Sequence, residues 1–565
     1  MHQRWCPHRR SRRSRGHHRG RRIHPRRPAR SRRGRRMSGL EIYDTTLRDG
    51  AQGVGISFSV SDKLRIAEHL DSLGVTVIEG GWPGANRTDT EFFQAMRGMT
   101  LQHATLAAFG ATRRPDVRPH DDLQLRALAD SHTAIVTLVG KSWDRQVTDV
   151  LRTTPDENLR MIEESVRWLT DEGRRVCFDA EHFFDGHASN PDYAIRCLEA
   201  AIAGGAERVA LCDTNGGTLP DTIEALTARV TAAFGSVAGI HCHDDTGCAV
   251  ANTLAAVRAG AVQVQGCING YGERTGNANL CTLIPALQLK MGIDVVSAEQ
   301  LRRITATARD VAEIANLHPP LSDPYVGEAA FTHKGGQHVD AMRKAAYAYQ
   351  HIEPGLVGNR RATVVSEQSG RANILDKADG LGIDLSAEPA LARSIAETVK
   401  NLEHRGYAFE GADASFELLV HRARGHEQPF SLIDFIALVE QREGRSLVCE
   451  ATVKVRIEDA VVHTVAEGNG PVNAIDAALR KALTPSFPEI EATQLLDYKV
   501  RVLDGGDGTA AGVRVLIESG DHQRRWNTVG CSTNIIEASW LALADAFEYA
   551  VVEARRCARR TAATA

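Results

Sequence analysis

Short apolar runs alternate with amphipathic stretches from residue 40 to about residue 290, and few folds accommodate this alternation. The strand-like runs are Leu40–Leu47, Val75–Gly80, Leu101–Gly110, Ala134–Gly140, Arg175–Ala180, Arg208–Cys212, Val237–His243 and Val262–Ile268. Helix-like segments lie between them, at Ser61–Leu73, Asp89–Met96, Asp156–Glu172, Pro191–Ala203, Pro220–Phe234 and Ala249–Ala259. Eight strand–helix units in about 250 residues predict a (β/α)8 barrel. A doubly wound open sheet is the alternative, but it would need a Gly-x-Gly-x-x-Gly turn after the first strand, and Asp44–Gly50 has none.

The pattern changes after the barrel, which we place at residues 37–295. Residues 296–445 have mainly helical patterns, and residues 446–565 return to strands and helices. This last part repeats at an offset of 64 residues; the matched residues are Thr464-Val465 with Thr528-Val529, and Ala474, Ala478 and Leu479 with Ala538, Ala542 and Leu543. The repeat predicts a compact pseudo-symmetric α/β domain. Its loops Gly468–Asn473 and Gly530–Asn534 suit a ligand's carboxylate, but a dimerisation domain without a ligand fits equally well.

Sixteen arginines and no Asp or Glu occur in residues 1–36, which hides the charge of the rest. The remaining residues carry 52 basic and 71 acidic side chains, a net charge of −19, so nucleic acid is not an expected partner of the folded part. Like charge and low hydrophobicity predict that segment 1–36 is disordered. It is a nucleic-acid-binding arm, a transit peptide that lacks the usual apolar face, or a non-native extension before a start at Met37. We favour the last.

Eleven cysteines are scattered from Cys6 to Cys557 without a Cys-x-x-Cys pair. This spacing is typical of a reducing compartment and argues against a disulfide framework, so we expect a cytoplasmic protein. No apolar stretch approaches the ~18 residues that a membrane helix needs, so no membrane partner is expected.

The stretch His241-Cys242-His243 ends the seventh strand-like run. Alternate side chains of a strand share a face, so the two imidazoles point the same way. Asp49, after the first strand, adds a carboxylate, and Asn277 is a possible fourth ligand. Mixed nitrogen and oxygen ligands predict a site for Mn, Zn, Co or Fe that also tolerates Mg.

Other polar residues follow the strands at the end where barrel enzymes carry their active sites. They are Arg48, Glu79, Asp179, Glu181, Asp213, Thr214 and the Gly-rich loop Asn269–Asn277. Arg48, held by Glu79, would stabilise an alkoxide formed when a carbonyl is attacked; the alternative is a surface ion pair. Outside the barrel, Phe331–Asp340 has two His and a Lys around a Gly-Gly pair. His338 there can exchange a proton near neutral pH, or the segment is a solvated loop.

Several of these motifs together resemble a known family. They are Asp44–Gly50 with Gln52, Ile78–Gly81, His241-x-His243, Asn269–Asn277 and Phe331–Val339, supported by Gly140–Asp144, Phe178–Gly186, Gly468–Ala474 and Asn534–Trp540. The chain from Leu40 to about Ala550 is similar to the acyl-CoA-condensing (β/α)8 metalloenzymes. That family includes the 2-isopropylmalate, homocitrate and citramalate synthases and the lyases that cleave hydroxymethylglutaryl-CoA. The resemblance is greatest to its long-form (R)-citramalate synthases.

The resemblance implies roles for individual positions. Asp49, His241, His243 and Asn277 match the ligands of a divalent metal (Mn, Mg, Zn or Co). Arg48, Glu79, Glu181 and His338 match catalytic positions, and Arg48, Gln52 and Thr214 match substrate-binding ones. In this family His338 would reach the barrel of the partner subunit of a homodimer. The implied reaction joins acetyl-CoA and pyruvate into (R)-citramalate for isoleucine biosynthesis, with isoleucine as the expected effector of the C-terminal domain.

Two residues depart from the family pattern. Asp244 stands where Asn is common, which would add negative charge beside the metal ligands. Gln337 replaces an apolar residue next to His338. We expect activity to survive both changes. A 2-isopropylmalate or homocitrate synthase and an acyl-CoA lyase are the enzymatic alternatives, although the Gly270–Gly276 loop lacks the lyase cysteine; an RNA-binding protein on a degenerate barrel is the other alternative.

Overall fold

The computed structural model describes residues 39–564, apart from Arg442, Arg445, Asp504, His522 and Gln523. The predictions for residues 1–36 and for a start at Met37 therefore lie outside the described residues. Among the described residues, no helix combines the length and the apolar character needed to span a bilayer.

Eight parallel strands form a closed barrel, which confirms the predicted fold class. They are β1 (Glu41–Asp44), β2 (Val77–Glu79), β3 (Thr105–Ala111), β4 (Ile135–Lys141), β5 (Arg175–Glu181), β6 (Arg208–Asp213), β7 (Ala238–Cys242) and β8 (Gln263–Gly266). The barrel closes where β8 pairs with β1, from Gln263 opposite Glu41 to Gly266 opposite Asp44. Each strand overlaps its predicted run, because strands of a parallel sheet are buried on both faces and leave continuous apolar runs in the sequence.

Helices surround the barrel, and all but the shortest bury an apolar face against it. They are α1 (Val60–Leu73), α2 (Arg87–Met96), α3 (Leu123–Asp130), α4 (Asp144–Gln146), α5 (Pro155–Asp171), α6 (Phe183–Ser189), α7 (Pro191–Gly204), α8 (Pro220–Phe234), α9 (Ala249–Arg258) and α10 (Leu280–Leu289). The core between the two layers includes the fully buried Ile42, Leu70 and Phe178. Tyr43 belongs instead to a small separate cluster. It adjoins Ile42 in β1, so alternation turns it to the barrel interior.

Beyond the barrel, a mainly helical region follows. It contains α11 (Ala298–Leu301), α12 (Ile304–Ile314), β9 (Thr332–His333), α13 (Gly336–Lys344), β10 (Ala362–Thr363), α14 (Arg371–Gly380), α15 (Pro389–His404) and α16 (Asp413–Ala423). The strands β9 and β10 form a short parallel pair. Helices α14, α15 and α16 share a core that contains Ile374, Ile395 and Phe416.

The C-terminal region consists of two antiparallel three-stranded sheets, each followed by a helix. Its elements are β11 (Ser431–Glu440), β12 (Val448–Ile457), β13 (Ala460–Gly468), α17 (Pro471–Leu483), β14 (Gln494–Val502), β15 (Val513–Gly520), β16 (Arg525–Ser532) and α18 (Ile535–Thr564). The predicted repeat is visible in matching contacts: Thr464 Oγ1 donates to the carbonyl of Ala478 at 2.7 Å, and Thr528 Oγ1 donates to that of Ala542 at 2.8 Å. Both sheets and both helices contribute to one core.

The structure differs from the sequence prediction at three strands and four helices, which are β9, β10 and β11, and α3, α4, α6 and α10. Strand β11 lies inside residues 296–445, which were predicted to be helical. Its inner residue Phe435 stacks on Trp540, while its outer residues Ile436 and Leu438 are exposed, so apolar residues on both faces hide the alternation of a strand. Helix α3 was missed because it is short and buries only Leu125 and Leu128.

Candidate functional site

His241 and His243 meet at the C-terminal end of β7. Both imidazoles face the barrel mouth, while Cys242 is turned to the core behind the strand. Their Nε2 atoms are 3.3 Å apart, and His241 Nε2 lies 3.5 Å from Oδ2 of Asp49, in the loop after β1. In the described part of the chain, this is the only group of three or more His, Cys, Asp or Glu residues whose ligand atoms approach so closely.

The arrangement fits a divalent cation. Ligand atoms about 2.1 Å from a metal ion are separated by about 3.0 Å in octahedral and about 3.4 Å in tetrahedral coordination, close to the separations observed. Asn277, paired with His243 in an isolated bridge, has a buried Oδ1 without a hydrogen-bond partner. Its Nδ2 donates to the carbonyl of Tyr271 at 3.1 Å. Since buried polar atoms are rarely left unpaired, the Oδ1 atom indicates a position for a fourth ligand.

The protonation states of these residues also suit a cation. Burial pushes the pKa of the Asp49 carboxyl upward, but Arg48 and the two imidazoles outweigh burial and bring the pKa to about 2. Burial and the neighbouring His241 lower the pKa of His243 to about 4, and burial also lowers the pKa of His241. At neutral pH the group therefore presents a carboxylate and two neutral imidazoles, which are the forms that bind metal ions.

Arg48 lies directly beside this group. Its Nε donates to Oε2 of Glu79 at 2.6 Å, and its Nη1 donates to Oδ2 of Asp49 at 3.1 Å. The guanidinium also stacks on the ring of Phe109, 3.7 Å from its centroid. Burial alone would lower the pKa of Arg48, but Glu79 and Asp49 raise it well above its usual value, so the guanidinium stays charged. A fixed positive charge therefore lies at the edge of the candidate metal site.

A cavity of about 270 Å³ opens between Arg48 and the histidines. Its apolar walls are Trp82, Phe109 and Val139, and its polar lining includes Gln52, Asp179, Glu181, Thr214 and Arg274. Thr214 Oγ1 accepts from the backbone N–H of His182 at 2.9 Å, which leaves its own proton available to a ligand. Glu181 forms an ion pair with Lys141 at the rim. The cavity thus brings together the candidate substrate residues Arg48, Gln52, Glu181 and Thr214.

His338 lies outside this cavity. It is exposed on α13 and stacks on Tyr349, with ring centroids 4.0 Å apart. His333 is the nearest other ring, 6.2 Å away. Within one chain, the structure does not bring His338 to the metal site.

Sequence reasoning gave no role in the site to four residues around these groups. They are Trp82, Phe109, Val139 and Tyr349. Trp82 and Phe109 form an edge-to-face pair with centroids 5.4 Å apart, and the guanidinium of Arg48 stacks on Phe109. The positions of Phe109 and Val139 at the ends of β3 and β4 could have identified them, since barrel sites are built from strand ends. Tyr349 carried no comparable signal.

The two departures from the family pattern face away from the metal ligands. Asp244 Oδ1 accepts the backbone N–H of Ala249 at 2.8 Å, at the N-terminus of α9. An Asn side chain can accept the same bond, and a carboxylate is further favoured by the helix dipole. Gln337 is exposed on α13. Neither side chain occupies the cavity.

Family profiles match three consecutive parts of the chain. Residues 39–311 match the HMGL-like family, residues 325–406 the homocitrate synthase post-HMGL domain-like family, and residues 410–551 the LeuA allosteric (dimerisation) domain.

Curated relatives match most of the chain. An (R)-citramalate synthase of Aquifex aeolicus is 51% identical over 91% of this chain and 98% of its own length. The (R)-citramalate synthase of Synechocystis is 50% identical, with 91% and 96% covered. That of Streptomyces coelicolor is also 50% identical, with 91% and 97% covered. The similarity therefore extends through the barrel, the helical region and the C-terminal sheets.

Proposed function

The chain belongs to the (R)-citramalate synthase family, and from this we propose that it condenses acetyl-CoA with pyruvate and water to give (R)-citramalate and CoA, in isoleucine biosynthesis. The observation that carries the proposal is the sequence identity of about 50% to (R)-citramalate synthases along 91% of the chain. The buried Asp49–His241–His243 group beside a charged arginine supports it, because this chemistry needs a polarised carbonyl.

Asp49, His241 and His243, with Asn277 as a fourth ligand, would hold the divalent cation, which is Mn, Mg, Zn or Co. Such a cation supplies Lewis acidity to the carbonyl of a 2-oxo acid. The hydroxyl of Thr214 and the amide of Gln52 line the same cavity and can bind the carboxylate of that acid.

One wall of the cavity is aromatic, but the choice of 2-oxo acid rests on the relatives and not on the size of the cavity. Trp82 and Phe109 hold each other edge to face, and Phe109 is fixed from the other side by Arg48. These contacts hold both rings in place at one wall of a cavity of about 270 Å³, a volume that would also admit the longer or branched acids. Pyruvate, rather than 2-oxoisovalerate or 2-oxoglutarate, is supported by the relatives, which are (R)-citramalate synthases.

Arg48 would stabilise the negative charge that develops on the keto oxygen of pyruvate. When the carbon of the acetyl methyl group bonds to the keto carbon, the carbonyl electron pair moves to oxygen. Glu79 and Phe109 already fix the guanidinium, so little reorganisation is needed as that charge appears. Water then cleaves the thioester, which releases CoA and the new carboxylate.

Removal of the acetyl methyl proton requires a base, for which we propose His338 of the partner subunit. His338 is exposed and stacked on Tyr349, so its ring is held but its edge is free for another surface. Tyr349 would orient the imidazole, and Glu181 at the cavity rim would meet it from the barrel side. The LeuA-type dimerisation domain and the exposed outer face of β11 support a homodimer.

We propose isoleucine as the effector of the C-terminal region. The match to an allosteric domain supports regulation, and the loops Gly468–Asn473 and Gly530–Asn534 lie at the entrances of α17 and α18. Asn473 and Asn534 already accept backbone N–H groups there, so both loops are ordered.

Release of free CoA from acetyl-CoA tests the reaction, with a thiol reagent as readout and a panel of pyruvate, 2-oxoisovalerate and 2-oxoglutarate. We expect release with pyruvate that a chelator abolishes, that Mn or Mg restores and that isoleucine inhibits. Release with 2-oxoisovalerate or 2-oxoglutarate instead would keep the chemistry but reject the substrate. Absence of release with every acid would reject the proposal.

A further inference from the structure

A chain of polar side chains crosses the barrel interior behind the candidate metal site. Nδ1 of His241 lies 2.9 Å from Oε1 of Gln265, on β8. Nε2 of Gln265 is 3.2 Å from Oε1 of Gln263, and Nε2 of Gln263 is 3.1 Å from Oε2 of Glu41. Gln265 is fully buried and Gln263 is 2% exposed. Buried amides are costly unless paired, and here each amide oxygen and nitrogen has a partner.

The far end of this chain fixes the direction of its hydrogen bonds. The other oxygen of Glu41, Oε1, accepts a hydrogen bond from Nη2 of Arg208 at 3.2 Å. Glu41 is therefore a carboxylate paired with an arginine, and it can only accept hydrogen bonds. Gln263 must therefore present its NH₂ group to Glu41 and its oxygen to Gln265. Gln265 must in turn present its NH₂ group to Gln263. The amide orientations thus follow from the ionised end of the chain.

A second acceptor holds the side-chain amide of Gln265 in the same orientation. Its Nε2 also donates to Oδ1 of Asp179 at 3.0 Å, so both amide protons are engaged. Only the amide oxygen remains for His241, and an oxygen can only accept. His241 must then carry its proton on Nδ1, which leaves the lone pair on Nε2. That nitrogen is the one that faces His243 and Asp49.

We propose that Gln265, oriented by Gln263 and Asp179, is a positioning residue that holds His241 in the tautomer and ring orientation needed to bind the cation. The inference rests on the proposed cation site. In proteins, a metal-binding histidine usually donates a hydrogen bond from its second ring nitrogen to a carboxylate or a carbonyl oxygen. Here an amide takes that place, and its direction is set by a hydrogen-bond chain that begins at the opposite end of the barrel.

Cobalt titration of the metal-free full-length protein, followed by visible absorption and without substrate, tests this inference. Gln265→Met keeps the length of the side chain but removes the acceptor, so we expect the cobalt Kd to rise about 10–100-fold. Gln265→Glu restores an acceptor for His241, and one proton shared with Asp179 relieves the new charge. Its Kd should return close to the wild-type value. Circular dichroism checks the fold of each variant.

The outcomes separate the two proposals. Failure of the wild-type protein to bind cobalt would reject the cation site itself. Cobalt binding that is unchanged in Gln265→Met, or weakened as much by Gln265→Glu as by Gln265→Met, would reject the positioning role while leaving the site intact.

A second measurement does not depend on variants that must fold with an altered core. In metal-free wild-type protein with ¹⁵N-labelled histidine, the His241 signals are identified by their loss in His241→Gln. We expect a protonated Nδ1 and an unprotonated Nε2 at neutral pH. The opposite tautomer would overturn the inference.

Discussion

Two carboxylates flank the histidine pair, and their contacts give them different tasks. Asp49 points at the imidazoles, whereas Asp244 points at the first turn of α9. Both are close to the site in sequence or space, so composition alone cannot tell them apart. Their hydrogen bonds can, because one carboxylate is aimed at the cation position and the other at a backbone N–H.

Replacing each carboxylate by an amide should therefore have different effects on bound metal and turnover. Asp49→Asn removes the negative charge that opposes the charge of the cation, so we expect bound metal and turnover to be lost together. Asp244→Asn is the matched control: its amide oxygen can still accept from Ala249, and metal content and kcat should stay near wild type. Metal analysis and CoA release on the same samples measure both. Full turnover by Asp49→Asn without metal would contradict the assignment.

Arg48→Lys should separate charge stabilisation from metal binding. Lysine keeps the positive charge but cannot contact Glu79 and Asp49 while stacking on Phe109. We expect kcat to fall about 10²–10³-fold with unchanged metal content, as for the loss of one group that stabilises an oxyanion. Steady-state kinetics and metal analysis test this. A variant that loses its metal instead would show that Arg48 mainly supports Asp49.

The sequence predicted the parts of the site that depend on local rules. His241 and His243 share a face because strands alternate, and Asp49 and Arg48 follow a strand that the apolar pattern made visible. The packing of Trp82 on Phe109, and of Phe109 on Arg48, depends on neighbouring strands and loops of the barrel. Contacts of that kind are set by the tertiary structure and leave no spacing in the sequence.

Helix boundaries depend on single hydrogen bonds and are harder to predict than the helices themselves. The first helix-like segment was predicted to begin at Ser61, but α1 is capped by Ser59, because Ser59 and Asp62 satisfy each other's backbone N–H groups. Helix α5 was predicted to begin at Asp156, but Thr154 caps it and Pro155 takes the first helical position. The apolar face of each helix was visible, whereas the residue that begins it was decided by one or two side-chain contacts.

The end of α1 is tied to the start of β3 through one carboxylate. Asp71 accepts the backbone N–H groups of Gln102, His103 and Ala104, each at 2.8 Å. Burial would raise the pKa of Asp71, but these three donors outweigh it and hold the pKa below its usual value. The ionised form therefore stabilises the fold, and this contribution is present above the unfolded pKa and is lost as pH falls through the lower folded pKa.

Asp71→Asn should destabilise the barrel in a way that depends on pH. We expect the free energy of unfolding at pH 7 to fall by about 1.5–3 kcal/mol, the range for hydrogen bonds to a charged group. The difference from wild type should shrink below about pH 4, where the Asp71 carboxyl of the unfolded wild-type chain begins to protonate, and should vanish below the lower folded pKa. Urea unfolding of the barrel at several pH values measures it. Asp156→Asn, at a side chain that is 77% exposed, is the control and should change little; an equal loss at every pH would contradict the linkage.

At the scale of the whole molecule, the C-terminal repeat is symmetric in fold but not in its surroundings. Val529, on the outer face of the second sheet, is 1% exposed because the helical region covers it. Its counterpart Val465, on the outer face of the first sheet, is 42% exposed, near the exposed Ile436 and Leu438. One sheet is therefore covered by its own chain, and the other presents an apolar face of the kind that subunits bury on association.

Association of two subunits bears on catalysis, because the candidate base and the candidate metal site are separated within one chain. A second chain would have to supply the base. Co-expression of Asp49→Ala with His338→Ala, each inactive alone, tests whether a site is assembled from two subunits. In a mixed dimer one barrel is intact and faces an intact His338 of the partner subunit. Random pairing makes half the dimers mixed with one working site each, so we expect about a quarter of the wild-type CoA release.

Within one chain, by contrast, no mixed dimer would hold a complete site. Release no higher than that of the single variants would then show that His338 serves its own barrel, after a movement that closes the helical region onto it. A control pair of Asp49→Ala with His243→Ala disables every barrel and should restore nothing under either arrangement. Recovery of CoA release in the first pair but not in the control would show that each active site is built from two subunits. The dimer would then be required for the reaction itself.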